Sequence, residues 1–463
     1  MTTTTTTNTA TAPATNTAAN TAPATTTVTA TATATNTAPA ANTATTMTMN
    51  TAPATATATT TPTATATNAA SSPPPSPTPT PTPTPTPSPL LQPTRLGNLP
   101  LPNRLVMAPM TRNRASADGV PLPVMATYYA QRASAGLIVA EASTPSAVGQ
   151  TYANITAIHT DAHVAGWRRV TDAVRDAGGR MFLQIQHGGR VGHPDNSGLT
   201  PVAPSPIPLP DTIHTPTGPQ PAVVPREMTV GDIHRTVADF ASAARRAVDA
   251  GFAGVEVHAA NGYLLQQFLA RNTNHRTDAY GGPVAHRIRF AVEVVRAVAD
   301  EIGAERVGVR IAPGITVNGI EEGDTEDIYP ALVDALDTIG GLAYLHVVFA
   351  DPDSPLFRRI RADWSGTLIA NPVLGWGGPL PADGGRRAGE RLLAAGADLI
   401  SLGRAFLANP DLVARMRAGA PLNPVRDKGL MYEGGADGYT DYPALGAGPR
   451  PVSRPRTPRD AHR

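Results

Sequence analysis

Eight short apolar runs alternate along this chain with eight longer stretches of helical spacing. The runs fall at 104–107, 137–141, 180–186, 254–258, 307–311, 343–348, 367–371 and 399–402, each the length of a buried strand. Helical recurrence follows them at 124–133, 162–177, 230–250, 287–302, 328–339, 356–362, 386–395 and 410–418. In the third stretch Val237, Phe240, Ala241, Ala244 and Val248 return at helical intervals, and Gly251 supplies the stop. Such alternation calls for a parallel sheet, and eight strands are the number a closed (β/α)8 barrel needs. One connection breaks the pattern. Residues 188–228 are rich in Pro, Gly and Ser without clear periodicity, long for a strand-to-helix loop. Because they follow a strand end, they are expected to cap the barrel mouth.

Composition separates the rest of the chain from this repeat. Residues 1–94 contain no Asp, Glu, Lys, Arg or His, and they close with a Pro-Thr alternation from Pro77 to Pro87. A segment of Thr, Ala, Pro and Asn has too little bulky apolar surface to offset the entropy of ordering it. We therefore expect a disordered tail over 1–94, and a barrel with a short C-terminal extension over 95–463. The start lacks the basic and apolar runs of a secretory signal, and no apolar stretch is long enough to span a bilayer. Cysteine is absent, which removes disulfides and thiolate chemistry and agrees with a cytoplasmic protein. A formal charge of +1 gives no electrostatic reason to expect nucleic acid or an anionic membrane as a partner. The sequence leaves the oligomeric state open.

Chemistry concentrates after the fourth run. Val255 and Val257 read as a strand ending at His258; Ala259 to Gly262 form a turn, and Leu264, Leu265, Phe268 and Leu269 begin a helix. His258, Asn261 and Tyr263 thus crowd at a strand-to-helix turn, the ligand-facing end of a barrel. Other classes fit poorly. The only lysine, Lys428, lies beyond the eighth strand, which disfavours a Schiff-base aldolase and a P-loop. The first strand ends in Met107, Ala108 and Pro109 instead of metal ligands, so no metal site is expected. No complete G-x-G-x-x-G occurs. What remains at strand ends is Thr111, Gln184, Gln186, His258, Asn261, Arg310, Asn371 and Arg404, donors suited to orienting a cofactor that does the chemistry.

Four strings now bear comparison with known families. They are Asn103-Arg-Leu-Val-Met-Ala-Pro-Met-Thr-Arg112, His258-Ala-Ala-Asn-Gly-Tyr263, Arg276-Thr-Asp-Ala-Tyr-Gly-Gly282, and Gly403-Arg404 with Asn409-Pro-Asp411. In this order the chain resembles the Old Yellow Enzyme family of FMN-dependent ene-reductases, from about Leu91 to Pro443. The resemblance implies a (β/α)8 barrel with FMN at its mouth, reduced by NADPH or NADH and reoxidised by a small activated alkene. It implies that Pro109, Met110 and Thr111 line the flavin, that Ala142 and Gln184 touch its pyrimidine side, and that Arg310 lies by its N1/O2 edge. Asn371, Gly403 and Arg404 would then meet the phosphate. His258 and Asn261 would bind the substrate oxygen, Tyr263 would protonate the α-carbon, and Gln186 and Tyr432 would line the substrate. Gln186 stands where many members carry Trp. Loop 372–385 is longer and richer in Gly and Pro than usual. The same scaffold run as a desaturase, or a catalytically silent flavin-binding protein, stay open as alternatives.

Overall fold

The computed structural model describes residues 88–375 and 378–446. Its eight central strands are β1 (Leu105–Met107), β2 (Leu137–Thr144), β3 (Met181–Ile185), β4 (Gly254–Ala259), β5 (Val307–Ile311), β6 (Tyr344–Ala350), β7 (Leu368–Pro372) and β8 (Leu399–Leu402). Neighbours pair parallel in chain order, and β8 returns to β1 through Ser401 and Val106, so the sheet closes. Around it run α1 (Pro123–Ala130), α2 (Asp161–Asp176), α3 (Val230–Asp249), α4 (Arg289–Ile302), α5 (Thr325–Asp337), α6 (Pro355–Asp363), α7 (Arg386–Ala394) and α8 (Leu412–Ala418). The expected eightfold alternation is present. The α3 helix begins on a Thr229/Asp232 capping box and gives way at Gly251, whose φ is 94°.

Strand parity divides the core in two. Residues such as Leu183, Ile185, Val255, Val257, Val309, Ile311, Leu345 and Ile400 face the helices. The alternate positions fill the barrel interior, where Val106, Leu137, Val139, Phe182, Tyr344, Ile369 and Leu399 form an apolar plug. Gly308 belongs to this interior set. A Cβ there would lie 2.2 Å from the Tyr344 ring, so only glycine lets that aromatic fill the centre. Below the plug, a hairpin of Thr94–Leu96 with Leu99–Leu101 closes the bottom with Leu96 and Leu101.

One expectation needs correcting. Residues 88–94, assigned to the tail on composition, belong to the folded unit: Pro89–Leu91 form a 3-10 turn whose Leu90 is fully buried in the core. One leucine docked against α7 outweighs the local polarity. The rest of the expected disordered tail, residues 1–87, and the end of the C-terminal extension, 447–463, lie outside the described residues. The connection over 188–228 is also more ordered than its composition implies. It contains an antiparallel hairpin, Thr212–Thr215 with Gly218–Pro221, and a parallel pair of Val202–Ala203 with Arg226–Glu227. Its Leu209 and Ile213 pack with Val191 against Tyr263, so the segment does cover part of the mouth. Among the described residues, no helix is long and apolar enough to cross a membrane.

Candidate active site

The turn after β4 is built to hold three side chains in fixed relation. Asn261 sits at φ 56° and Gly262 at φ 77°, both left-handed. A Cβ on Gly262 would meet Asn318 Cβ and the Val317 carbonyl at 2.5 Å, which leaves glycine alone acceptable. The loop after β5 supports the turn from above, because Asn318 Nδ2 donates to the Asn261 carbonyl at 2.8 Å. From below, Gln266 Oε1 accepts from Gly262 N–H at 2.8 Å, while its Nε2 donates to Glu322 at 2.8 Å and toward Tyr329 Oη at 3.0 Å. Gln267 Nε2 donates to the carbonyls of Gly262 and Gly188 at 2.8 and 3.0 Å. These two glutamines were invisible as site residues in the sequence, where they look like polar positions of an amphipathic helix. Their full burial on Leu264–Leu269 is the signal.

His258 is buried at the top of β4, and its ring lies edge-on to Tyr263 with centroids 5.1 Å apart. The Ala260 N–H donates to His258 Nδ1 at 3.2 Å. Burial and then the neighbouring Arg310 bring the imidazole pKa down to about 3. It is therefore neutral at pH 7, and its one proton resides on Nε2, which leaves a single outward donor. Tyr263 has its pKa pushed well above 10 by burial, reinforced by Tyr152 and Tyr432. Its phenol stays protonated throughout the working range.

Arg310 pairs in register with His258 across β4 and β5. It is 94% buried, and its Nη1 lies within 3.0 Å of both ring nitrogens of His346. Its Nε has no hydrogen-bond partner. A buried guanidinium N–H left without a partner at the barrel mouth is costly unless a ligand accepts from it. A carbonyl-bearing ring edge such as that of FMN fits this need. Gln184, two strands away on β3, donates from Nε2 to Glu256 at 2.8 Å and so keeps Oε1 for the mouth.

On the opposite side, Pro109, Met110 and Thr111 follow β1, and Gly403 follows β8 so closely that a Cβ there would touch Met110 Sδ at 3.3 Å. Asn371 at the end of β7 donates to the Ser401 carbonyl at 2.8 Å. Arg404 turns toward the loop after β7, where it meets the carbonyls of Gly375, at 2.7 Å, and Gly378. Ala142 is buried in β2. Gln186 is buried and donates to Thr151 Oγ1 at 3.4 Å.

Tyr432 arrives from far along the chain, on the short helix Gly429–Tyr432, and lies close enough to Tyr263 to raise its pKa. Arginines placed just after Thr111 hold that helix. Arg112 Nε donates to the Met431 carbonyl at 2.8 Å and its Nη2 to that of Gly438 at 2.9 Å. Arg114 donates to the carbonyls of Leu430 at 2.8 Å, Met431 at 3.1 Å and Glu433. Tyr439 stacks on Tyr128 at 4.0 Å, and both guanidinium groups lie against its ring. The sequence offered Arg112 only as part of a motif string, and its long-range partners had no local signal.

A barrel mouth with a buried unpaired arginine donor, an adjoining neutral histidine and a protonated tyrosine offers hydrogen-bond donors for a cofactor or an oxygen-bearing acceptor. Comparison with known proteins gives the family. A model of the NADH:flavin oxidoreductase / NADH oxidase family matches residues 89–423. The chain is 41% identical over 368 residues to a probable flavin mononucleotide-dependent alkene reductase of Leishmania infantum, covering 77% of this chain and 97% of that protein. It is 40% identical over 361 residues to 12-oxophytodienoate reductase 1 of Oryza sativa subsp. japonica, covering 77% and 93%. Among solved structures, the old yellow enzyme homologue from Zymomonas mobilis superposes with a TM-score of 0.72 at 39% identity, covering 77% of this chain and 99% of that one. Morphinone reductase in complex with tetrahydroNAD gives 0.71 at 43% identity, covering 77% and 97%. The chain belongs to the NADH:flavin oxidoreductase family, that of Old Yellow Enzyme. It is an FMN-dependent oxidoreductase of the ene-reductase type that draws on NAD(P)H.

Proposed function

We propose that His258 and Asn261 bind the carbonyl or nitro oxygen of an α,β-unsaturated acceptor, and that Tyr263 delivers a proton to its α-carbon. The observation that carries this reading is the pairing on one turn of a neutral imidazole donor with a phenol that burial keeps protonated. When bound, FMN supplies the hydride equivalent taken from NADPH or NADH. As the acceptor gains that hydride at its β-carbon, negative charge grows on its oxygen, and donors fixed beforehand stabilise it without reorganising. The Tyr263 hydroxyl then serves as the general acid. Tyr152 and Asn318, beside that hydroxyl, hold its direction.

In the same reading Pro109, Met110, Thr111, Ala142, Gln184 and Arg310 line the flavin ring, and Asn371, Gly403 and Arg404 form the phosphate end. Gln186 and Tyr432 shape the substrate cavity. The acceptor is a small activated alkene, and a cytoplasmic location agrees with the lack of cysteine. The test uses His258→Leu and Asn261→Ala. Each should slow anaerobic flavin reoxidation by cyclohexenone by about 10²-fold, the usual effect of losing one oxyanion donor, with FMN content preserved. Wild-type reoxidation rates in both variants would remove these residues from the oxygen-binding role.

A further inference from the structure

Beneath the mouth, the barrel interior contains a carboxylate that the proposed chemistry does not use. Glu256 lies in the middle of β4 with no solvent exposure. Its Oε1 accepts from Gln184 Nε2 at 2.8 Å; its Oε2 accepts from His346 Nδ1 at 2.7 Å and from Tyr344 Oη at 3.1 Å. His346 in turn pairs with Ser401 Oγ through Nε2 at 2.7 Å, and Arg310 Nη1 reaches the same ring. Gln184, Glu256, Arg310, His346 and Ser401 therefore form one connected group contributed by five strands.

We propose that Glu256 is a positioning residue for the flavin, acting through Gln184 on one side and through His346 and Arg310 on the other. This inference rests on the reading above that Gln184 and Arg310 edge the pyrimidine ring. An ionised carboxylate only accepts hydrogen bonds. Gln184 must therefore offer its NH2 downward and its Oε1 upward, and His346 must commit its Nδ1–H to Glu256 and accept from Ser401 at Nε2. One carboxylate thus dictates an acceptor from Gln184 and, by holding the His346 ring that Arg310 Nη1 meets, leaves the Arg310 Nε–H for the ring edge. Burial pushes the Glu256 pKa up, but His346 and Arg310 beside it bring it down to about 2, so the charge persists. That charge also offsets part of the Arg310 field. It limits how strongly the mouth prefers the reduced cofactor, whose pyrimidine edge is the more negative.

Glu256→Gln separates these effects. A neutral amide can face Gln184 with either end, so polarity control is lost and oxidised FMN should bind about tenfold more weakly by fluorescence titration. Reduced FMN should bind unchanged, because the uncovered Arg310 charge compensates. A tenfold change in that ratio is a rise of about 30 mV in the two-electron midpoint potential. Glu256→Asp keeps the charge and should leave the potential at the wild-type value even where affinity falls, which also covers the case of a poorly folding Gln variant. Arg310→Met serves as the control and should lower the potential. If Arg310→Met shifts the potential and Glu256→Gln leaves both potential and affinity unchanged, the role of Glu256 is overturned. Equal weakening of both redox forms in Glu256→Gln would also overturn it, leaving only packing. If Arg310→Met changes nothing, the placement of Arg310 at the flavin fails and the proposal falls with it.

Discussion

Replacing Tyr263 by Phe removes one oxygen from the mouth and little else. The ring packs against Val191, Leu209 and Ile213, and those contacts survive. Folding should weaken by no more than about 1.5 kcal/mol, the upper range for one hydrogen-bonding group. The chemical cost is larger. A positioned general acid contributes roughly 10²- to 10⁴-fold, and Tyr152 beside Tyr263 offers a second phenol. We therefore expect the lower end, about 10²-fold, equivalent to about 2.7 kcal/mol of barrel-mouth stabilisation of the transition state. Anaerobic stopped-flow separates the half-reactions. Bleaching of the flavin by NADPH should match wild type, while the return of absorbance on adding cyclohexenone slows. Equal return rates in the two proteins would refute the assignment, and slowing of both half-reactions alike would point to a displaced flavin.

Two further outcomes follow from the geometry. Arg114→Met removes the donors that hold the carbonyls on both sides of Tyr432; each such bond to a charged donor is worth about 1.5–3 kcal/mol. The acceptor KM should rise several-fold with flavin reduction by NADPH unaffected, and an unchanged KM would detach Tyr432 from the substrate. Acid lability should begin below pH 6.5. His187, His258 and His346 have pKa values brought down by burial to about 3, 3 and 4, so between these values and 6.5 the unfolded chain binds more protons and stability falls with pH. Glu141, raised by burial to about 7, acts in the opposite sense, one group against these three and His159, which burial lowers to about 4. Thermal unfolding from pH 7 to 4.5 should show a falling Tm, and a flat profile would contradict the buried neutral state of these histidines.

The barrel was legible because each strand and helix declares itself within its own few residues. Val255 and Val257 mark β4 without any knowledge of β5. The turn from His258 to Tyr263 was legible for the same reason, since its functional groups fall within six consecutive residues. The hairpin over Tyr263 was not, because its strands are four residues long and one contains Pro219 and Pro221, which mask alternation. Leu90 was missed because its burial depends on α7, three hundred residues away. The Glu256 group spans five strands, and only inward strand parity links its members. A polar residue at an inward position of a barrel strand is the signal that was available.

The central claim is that a flavin lies across the mouth and passes reducing equivalents to an enone. An anaerobic absorbance scan of the purified protein, before NADPH, after it and after cyclohexenone, tests that claim directly. The flavin spectrum should be present, bleach with NADPH and return with the enone. A colourless protein that takes up no FMN, or a bleached spectrum that no enone restores, contradicts it.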